Sequence, residues 1–421
     1  MICCGGGNFP SPCRPCVSHG PVAETNVREA GGTCAAIDLT ALRDLFGHGG
    51  DARIFFVSTP NFYREATVMT LRVGIIGTGY GARVHAPILQ KHPDYQLAAL
   101  ASLRPGRARQ AVEALAGVKP YDDWAAMIRE AGLDLVVIAA NPAEHAAMTL
   151  AALSAKLHVL CEKPPALHLG EALAMRDAAA ISGRVAAMNF EWRYLPERTT
   201  IARVLAEGSL GAIFHVRWSE SATMWPRIRD QQHKWLWSEP HGGGFFGAVG
   251  SHMIDALRHW FGPFTQVQGD TVSRVHSRLS EDAHTVSTAD DSFTLHGRFA
   301  QGGSCTLEFT GVAVGREPRI EIFGSQGTLV LEGETLTQAT IVAPGFQPVE
   351  MEQSMDVSGF AQEIQRYVHP QWTLYTRLAE KIHGFTDRSV PTLDDAAYVQ
   401  AVMDTVRMSA KTGLLPIPPM R

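Results

Sequence analysis

The chain contains no uninterrupted apolar run of about 18 residues or more, so no membrane-spanning helix is expected. It also lacks a basic excess. The formal net charge is -5 at pH 7, which gives no field favouring nucleic acid or an anionic membrane surface. Cysteine is scarce where a fold would need it: Cys3, Cys4, Cys13, Cys16 and Cys34 crowd the start, leaving only Cys161 and Cys305 beyond. A globular body with two thiols needs no disulfide framework, and a cytoplasmic location is expected. The 17 histidines include no His-x-x-x-His pair at helical spacing, so no metal is assigned. Cys13-x-x-Cys16 has no second pair and lies among Pro and Gly, as an unstructured leader would place it.

Residues 1–68 are rich in Gly, Pro, Ser and Cys and show no sustained period. They lack the charged start and apolar core of a secretory signal. Met69 opens the first strand with almost no lead-in, so 1–68 is expected to be a disordered leader or a mis-assigned extension. At 421 residues the chain exceeds one ordinary core. The expected division is 69–190 for a dinucleotide-binding domain and 191–421 for substrate and oligomer contacts.

From Leu71 to Asn189, apolar runs alternate with Ala-rich helical segments. Expected strands are Val73 to Ile76, Gln96 to Ala101, Leu133 to Ala140, His158 to Leu160 and Val185 to Asn189. Helices are expected over Arg107 to Ala116, Trp124 to Ala131, Ala143 to Ala155 and Leu169 to Ile181. That alternation means a doubly wound parallel sheet. After Pro196, strand-like runs such as Ile213 to Glu220, Ser292 to Phe299, Gly303 to Thr310, Arg319 to Phe323 and Thr328 to Glu332 imply a mostly antiparallel open sheet. Amphipathic helices over 372–384 and 394–412 close the chain.

Three constellations carry chemistry. Val73 to Ile76 runs into Gly77-Thr78-Gly79-Tyr80-Gly81-Ala82, the strand–turn–helix order of dinucleotide binding. Gly77 permits the tight turn, Gly79 lets backbone approach a pyrophosphate, and small Ala82 lets helix pack on strand. After the second strand, where NAD enzymes place an acid, stand Ser102-Leu103-Arg104 and Arg107. A hydroxyl and a guanidinium suit a 2′-phosphate, so NADP is favoured over NAD.

Glu162-Lys163-Pro164-Pro165 follows the His158 strand, at the sheet end where ligands bind. An ammonium is a poor base at neutral pH, but a cationic nicotinamide ring favours the neutral amine, which can take a hydroxyl proton. The third constellation runs from His241 through a glycine-rich stretch to His252 and Asp255. Its glycines let backbone crowd a ligand, and Ser251 is expected to cap the following helix, whose N-terminus would keep His252 neutral. Trp192, Trp225, Trp235 and Trp237, with Arg193, His233 and Lys234 interspersed, suit stacking on a sugar or fill a core.

In this order these motifs, with Tyr121-Asp122-Asp123-Trp124 and the Asn141-Pro142-Ala143-Glu144-His145 turn, resemble the Gfo/Idh/MocA oxidoreductases from Met69 to Gly413. The resemblance implies Lys163 and His252 as acid/base pair on a sugar, cyclitol or similar small substrate. It implies Asn141, His145 and Glu162 near the cofactor, Trp192, Arg193 and Asp255 binding or supporting substrate, and a cis Lys163–Pro164 bond. A homo-oligomer, dimer or tetramer, is implied through the open sheet. The family's usual Asp before the histidine is Ala248 here. That departure keeps open a cofactor-binding sensor without turnover, and the resemblance itself keeps open an NAD-dependent glycosidase.

Overall fold

The computed structural model describes residues 69–222, 235–274, 288–409 and 415–418. The expectations for residues 1–68 and the Cys13–Cys16 pair lie outside the described residues, as do Trp225, His233 and Lys234.

Strands β1 (Leu71–Ile76), β2 (Tyr95–Ala101), β3 (Lys119–Tyr121), β4 (Leu135–Ile138), β5 (His158–Cys161) and β6 (Ala186–Met188) form a parallel sheet ordered β3-β2-β1-β4-β5-β6. The order reverses between β1 and β4, and ligands of such sheets sit outside the carboxyl ends of the strands there. Central β1 buries Val73, Ile75 and Ile76 completely, each contributing roughly 1.5–3 kcal/mol. Helices α1 (Ala86–Lys91), α2 (Arg107–Val112), α3 (Trp124–Glu130), α4 (Pro142–Ser154) and α5 (Leu169–Ser182) connect the strands. Local chemistry fixes their ends. The Asp123 side chain caps α3 by accepting from Ala125 N at 2.8 Å, Pro142 opens α4, and left-handed Gly183 ends α5. The sequence reading does not anticipate β3, because Lys-Pro-Tyr has no apolar run and only Tyr121 is buried.

The second sheet has nine strands ordered β14-β13-β12-β11-β7-β10-β9-β8-β15. They are β7 (Ile213–Ser221), β8 (Phe264–Val272), β9 (Ser292–Phe299), β10 (Ser304–Thr310), β11 (Arg319–Gly324), β12 (Gly327–Glu332), β13 (Thr335–Thr340), β14 (Ala343–Pro348) and β15 (Leu415–Pro416). All pairings are antiparallel except β7 with β10. Inward-facing Val216, Trp218, Leu295, Leu307 and Ile320 share a core with helices α6 (Pro196–Ala206), α7 (Ser251–Phe261) and α9 (Leu393–Ser409).

The closing helices differ from expectation. Helix α8 (Gln365–Ile382) begins seven residues before Trp372 and runs through Pro370. Its Val368, Leu374, Tyr375 and Leu378 pack with Val73, Ile75 and Leu100, so it covers the parallel sheet rather than the second one. Described helix α9 reaches Ser409, and 410–412 lie outside the described residues.

Candidate active site

At the carboxyl end of β1 the backbone turns at Gly77, with φ +127° and an absent Cβ that would lie 2.2 Å from Ala139 O. No other residue fits there. Gly79 faces open space, as an approach to pyrophosphate requires. The close helix–strand contact falls on Gly81, whose Cβ would meet Ile75 Cγ2 at 2.8 Å, one residue before the expected Ala82. A π-type turn, Gly81–His85, precedes α1. Gly77, Thr78, Gly79 and Tyr80 form one wall of a cleft of about 760 Å³, whose other walls include Ser102, Arg104, Arg107, Asn141, Glu162, Lys163 and Trp235. That volume and the glycine cradle fit a dinucleotide.

Ser102 is nearly buried and its Oγ accepts from Arg104 N at 3.1 Å. Arg104 and Arg107 line the cleft beside it. A third lining guanidinium, Arg83, went unnoticed in the sequence; its Nε donates to Gly79 O at 3.3 Å. Glu162 is the sole carboxylate among the described lining residues, so this end of the cleft is cationic.

Lys163 stands two residues past the end of β5, and its bond to Pro164 is cis. Its Nζ donates to Ala248 O at 3.3 Å. The two loops approach this closely because Gly247 carries no Cβ, which would otherwise sit 3.1 Å from Pro164 Cγ. The glycines after His241 therefore crowd protein rather than ligand. Glu162 is held by a buried network: His85 Nε2 lies 2.9 Å from Oε1, Asn189 Nδ2 donates to Oε1 at 2.5 Å, and Lys163 N donates to Oε2 at 3.2 Å. His85 Nδ1 is 2.7 Å from Tyr375 OH. Burial alone would raise the Glu162 pKa, but bonding and charge from His85, then Lys163 and Asn189, hold it below the usual range. His145 is fully buried and its ring nitrogens face Pro164 O (3.0 Å) and Ala140 O (3.2 Å). With its pKa lowered by burial the ring is neutral and donates its one N–H to a carbonyl, bracing the strand ends, and His145 is not among the residues that line the cleft.

The expected Ser251 cap is absent. A π-type turn over Phe246–Gly250 runs into α7, so helical backbone begins before Ser251, whose buried Oγ has no partner. His252 nevertheless stays neutral: burial first, then the charges of Lys163 and Arg198, push its pKa well below the ordinary value. Trp192 stacks on the imidazole at 4.5 Å and 8°. Arg198 lies over both Trp192 (5.6 Å) and Trp218 (4.2 Å), extending the stack inward. Arg193 and Asp255 bind each other, Nε to Oδ2 at 2.7 Å and Nη2 to Oδ1 at 2.5 Å. Arg193 also reaches Asp395 at 3.3 Å and Ser389 O at 3.1 Å. Both residues therefore support the site, since their polar atoms are spent on protein. The sequence reading also missed Glu191, which is buried with Oε2 3.9 Å from His252 Nε2. A glutamate in an aromatic stretch carries no spacing signal.

Comparison with known proteins agrees with this architecture. Residues 71–190 match the family model described as "Oxidoreductase family, NAD-binding Rossmann fold", and 199–330 match "GFO/IDH/MocA C-terminal domain", together more than half of the chain. Levoglucosan dehydrogenase of Pseudarthrobacter phenanthrenivorans is 27% identical over 292 residues, 63% of this chain and 75% of that protein. Myo-inositol 2-dehydrogenase of Thermotoga maritima is 25% identical over 277 residues, 65% of this chain and 78% of that one. A solved levoglucosan dehydrogenase in complex with NADH and levoglucosan superposes with TM-score 0.74 at 23% identity, covering 83% of this chain and all of that one, a likeness of fold. No helix among the described residues is long and apolar enough to cross a membrane.

Proposed function

Because the chain belongs to the Gfo/Idh/MocA oxidoreductase family, we propose that it moves hydride between a nicotinamide cofactor and a hydroxyl or carbonyl carbon of a sugar, cyclitol or related small molecule. The observation that carries this is convergence at one strand end. Lys163 Nζ reaches the carbonyl of Ala248, one turn before His252, and lines the same cleft as the glycine cradle.

Thr78, Gly79, Tyr80 and Asn141 would hold the dinucleotide. The bound nicotinamide supplies the hydride acceptor or donor. Lys163 takes the proton of the reacting hydroxyl, and neutral His252 orients the reacting oxygen through a ring nitrogen. The Glu162 network fixes the backbone that carries Lys163. Stacked Trp192 fixes the imidazole plane. The test is incubation of purified protein with NADP⁺ or NAD⁺ and a panel of sugars and cyclitols, followed at the reduced-nicotinamide absorbance. Absence of reduction with every member removes the reading in favour of a non-turnover sensor; sugar release without net reduction favours the glycosidase.

We further assign a preference for NADP(H), on the three cleft guanidiniums Arg83, Arg104 and Arg107 and the missing acid after β2. A charge-assisted contact is worth about 1.5–3 kcal/mol. Arg104→Glu therefore raises the NADP⁺ Kd roughly tenfold or more while NAD⁺ binding stays level or tightens. Equal loss for both nucleotides, measured by fluorescence titration, would refute the assignment. The remaining proposals are a cytoplasmic location, supported by the unlinked buried thiols Cys161 and Cys305, and homo-oligomerisation through the outer face of the second sheet. There Arg217, Thr306, Arg319 and Glu321 line a shallow depression.

A further inference from the structure

Glu191 is a carboxyl that the reading above leaves without a task. It lies in the short 3₁₀ segment Glu191–Tyr194, directly after the loop that leaves β6, and is 4% exposed. Its Oε2 has no hydrogen-bond partner among the described residues. A buried polar atom left unpaired carries its full desolvation cost, so Glu191 Oε2 calls for a ligand atom as its partner. The gap between Glu191 Oε2 and His252 Nε2 is 3.9 Å. That is too long for a direct bond. It suits one oxygen placed about 2.8 Å from each, seen at an angle of roughly 90°.

We propose that Glu191 is a further catalytic residue, a neutral carboxylic acid that donates a hydrogen bond to the reacting oxygen alongside His252. The inference rests on the proposed function and assigns a second donor to the same oxygen. The acid keeps its proton throughout, so it transfers no group: it stabilises the negative charge that develops as Lys163 and that oxygen exchange theirs.

The surroundings favour the neutral form. The charged and titratable groups facing Glu191 are Glu162 and Lys163 after β5, His252 and Asp255 on α7, and Tyr80 after β1. Burial first, then the Glu162 charge, raises its pKa to about 8 against the opposing pull of Lys163. A carboxylic acid kept neutral by an apolar site so that it can donate is a known catalytic device. Ala248, which offers Lys163 only its backbone carbonyl, leaves Glu191 as the carboxyl nearest the imidazole among the ion pairs described.

The experiment compares Glu191→Ala and Glu191→Gln in the full-length chain. Alanine removes the donor and lowers kcat by about 10²–10³. Glutamine keeps an N–H donor and stays within about tenfold of wild type. As pH rises through about 8 the wild-type acid ionises and the donor is lost, so the kcat/KM profile has an alkaline falling limb. Glutamine does not ionise, and the limb disappears. Infrared difference spectra of the cofactor-free protein give a second readout: a protonated-carboxyl band that vanishes at alkaline pH and is missing from Glu191→Gln. Glutamine falling as far as alanine, alanine within threefold of wild type, or no such band, each overturns the inference while leaving an active wild type to uphold the proposed function. A wild type that oxidises or reduces no sugar overturns both.

Discussion

Lys163→Met lowers turnover by a factor on the order of 10²–10⁴ and leaves both nucleotide affinity and thermal melting close to wild type. The expectation follows from what the side chain does in the fold. Its side chain makes one described protein hydrogen bond, to Ala248 O at 3.3 Å, and methionine keeps an unbranched stem of similar length. The neighbouring Glu162 is held by His85 and Asn189 and does not depend on the amine for its place. Lys163→Arg should be equally impaired although it keeps the charge, because a guanidinium does not deprotonate in proteins. Steady-state rates, cofactor titration and melting curves on the same preparations separate loss of proton transfer from loss of structure. A methionine variant retaining more than about a tenth of wild-type turnover would take Lys163 out of the chemistry.

Arg193→Met should cost about 3–5 kcal/mol of stability, the largest single-site loss expected outside the apolar core. The guanidinium is enclosed, with both bonds to Asp255 at 2.7 Å or less and a further contact to Asp395. Burial alone would lower its pKa, but Asp255 and Asp395 outweigh that and push it up. Removing the cation leaves the Asp255 carboxylate buried without its partner, which is the expensive state. Arg193→Met combined with Asp255→Leu should recover much of the loss, since no unpaired charge then remains. Denaturant melts of the two singles and the double measure the coupling. Strict additivity, or a single-variant loss below about 1 kcal/mol, argues against the pair as a fixed brace. Activity should fall with stability, because Arg193 and Asp255 tie the segment carrying Glu191 and Trp192 to the helix carrying His252.

Local features were readable where one physical cause dominates. The β1 turn was legible because a run of buried aliphatics must be followed by glycine wherever φ is positive. Lys163 was legible because its position after a strand carries it to the sheet's binding end. Features set by distant contacts were not. Glu191 is buried only because chain far away in sequence closes over it. Helix α8 was expected only from Trp372, yet it begins at Gln365 and tertiary packing on the parallel sheet carries it through Pro370. Gly247 and Gly250 read as loop although they sit in a π-type turn that lengthens α7. His145 and Asp255 have the residue types of a reactive site but spend their polar atoms on structure, a distinction only coordinates reveal.

The outer strand β14 has one further effect. Its residues are exposed along their whole length, and two of the six, Pro344 and Pro348, have no amide hydrogen to offer. A tenth strand from another molecule would find donors missing at both, so the ribbon stops there instead of recruiting copies edge to edge into fibres.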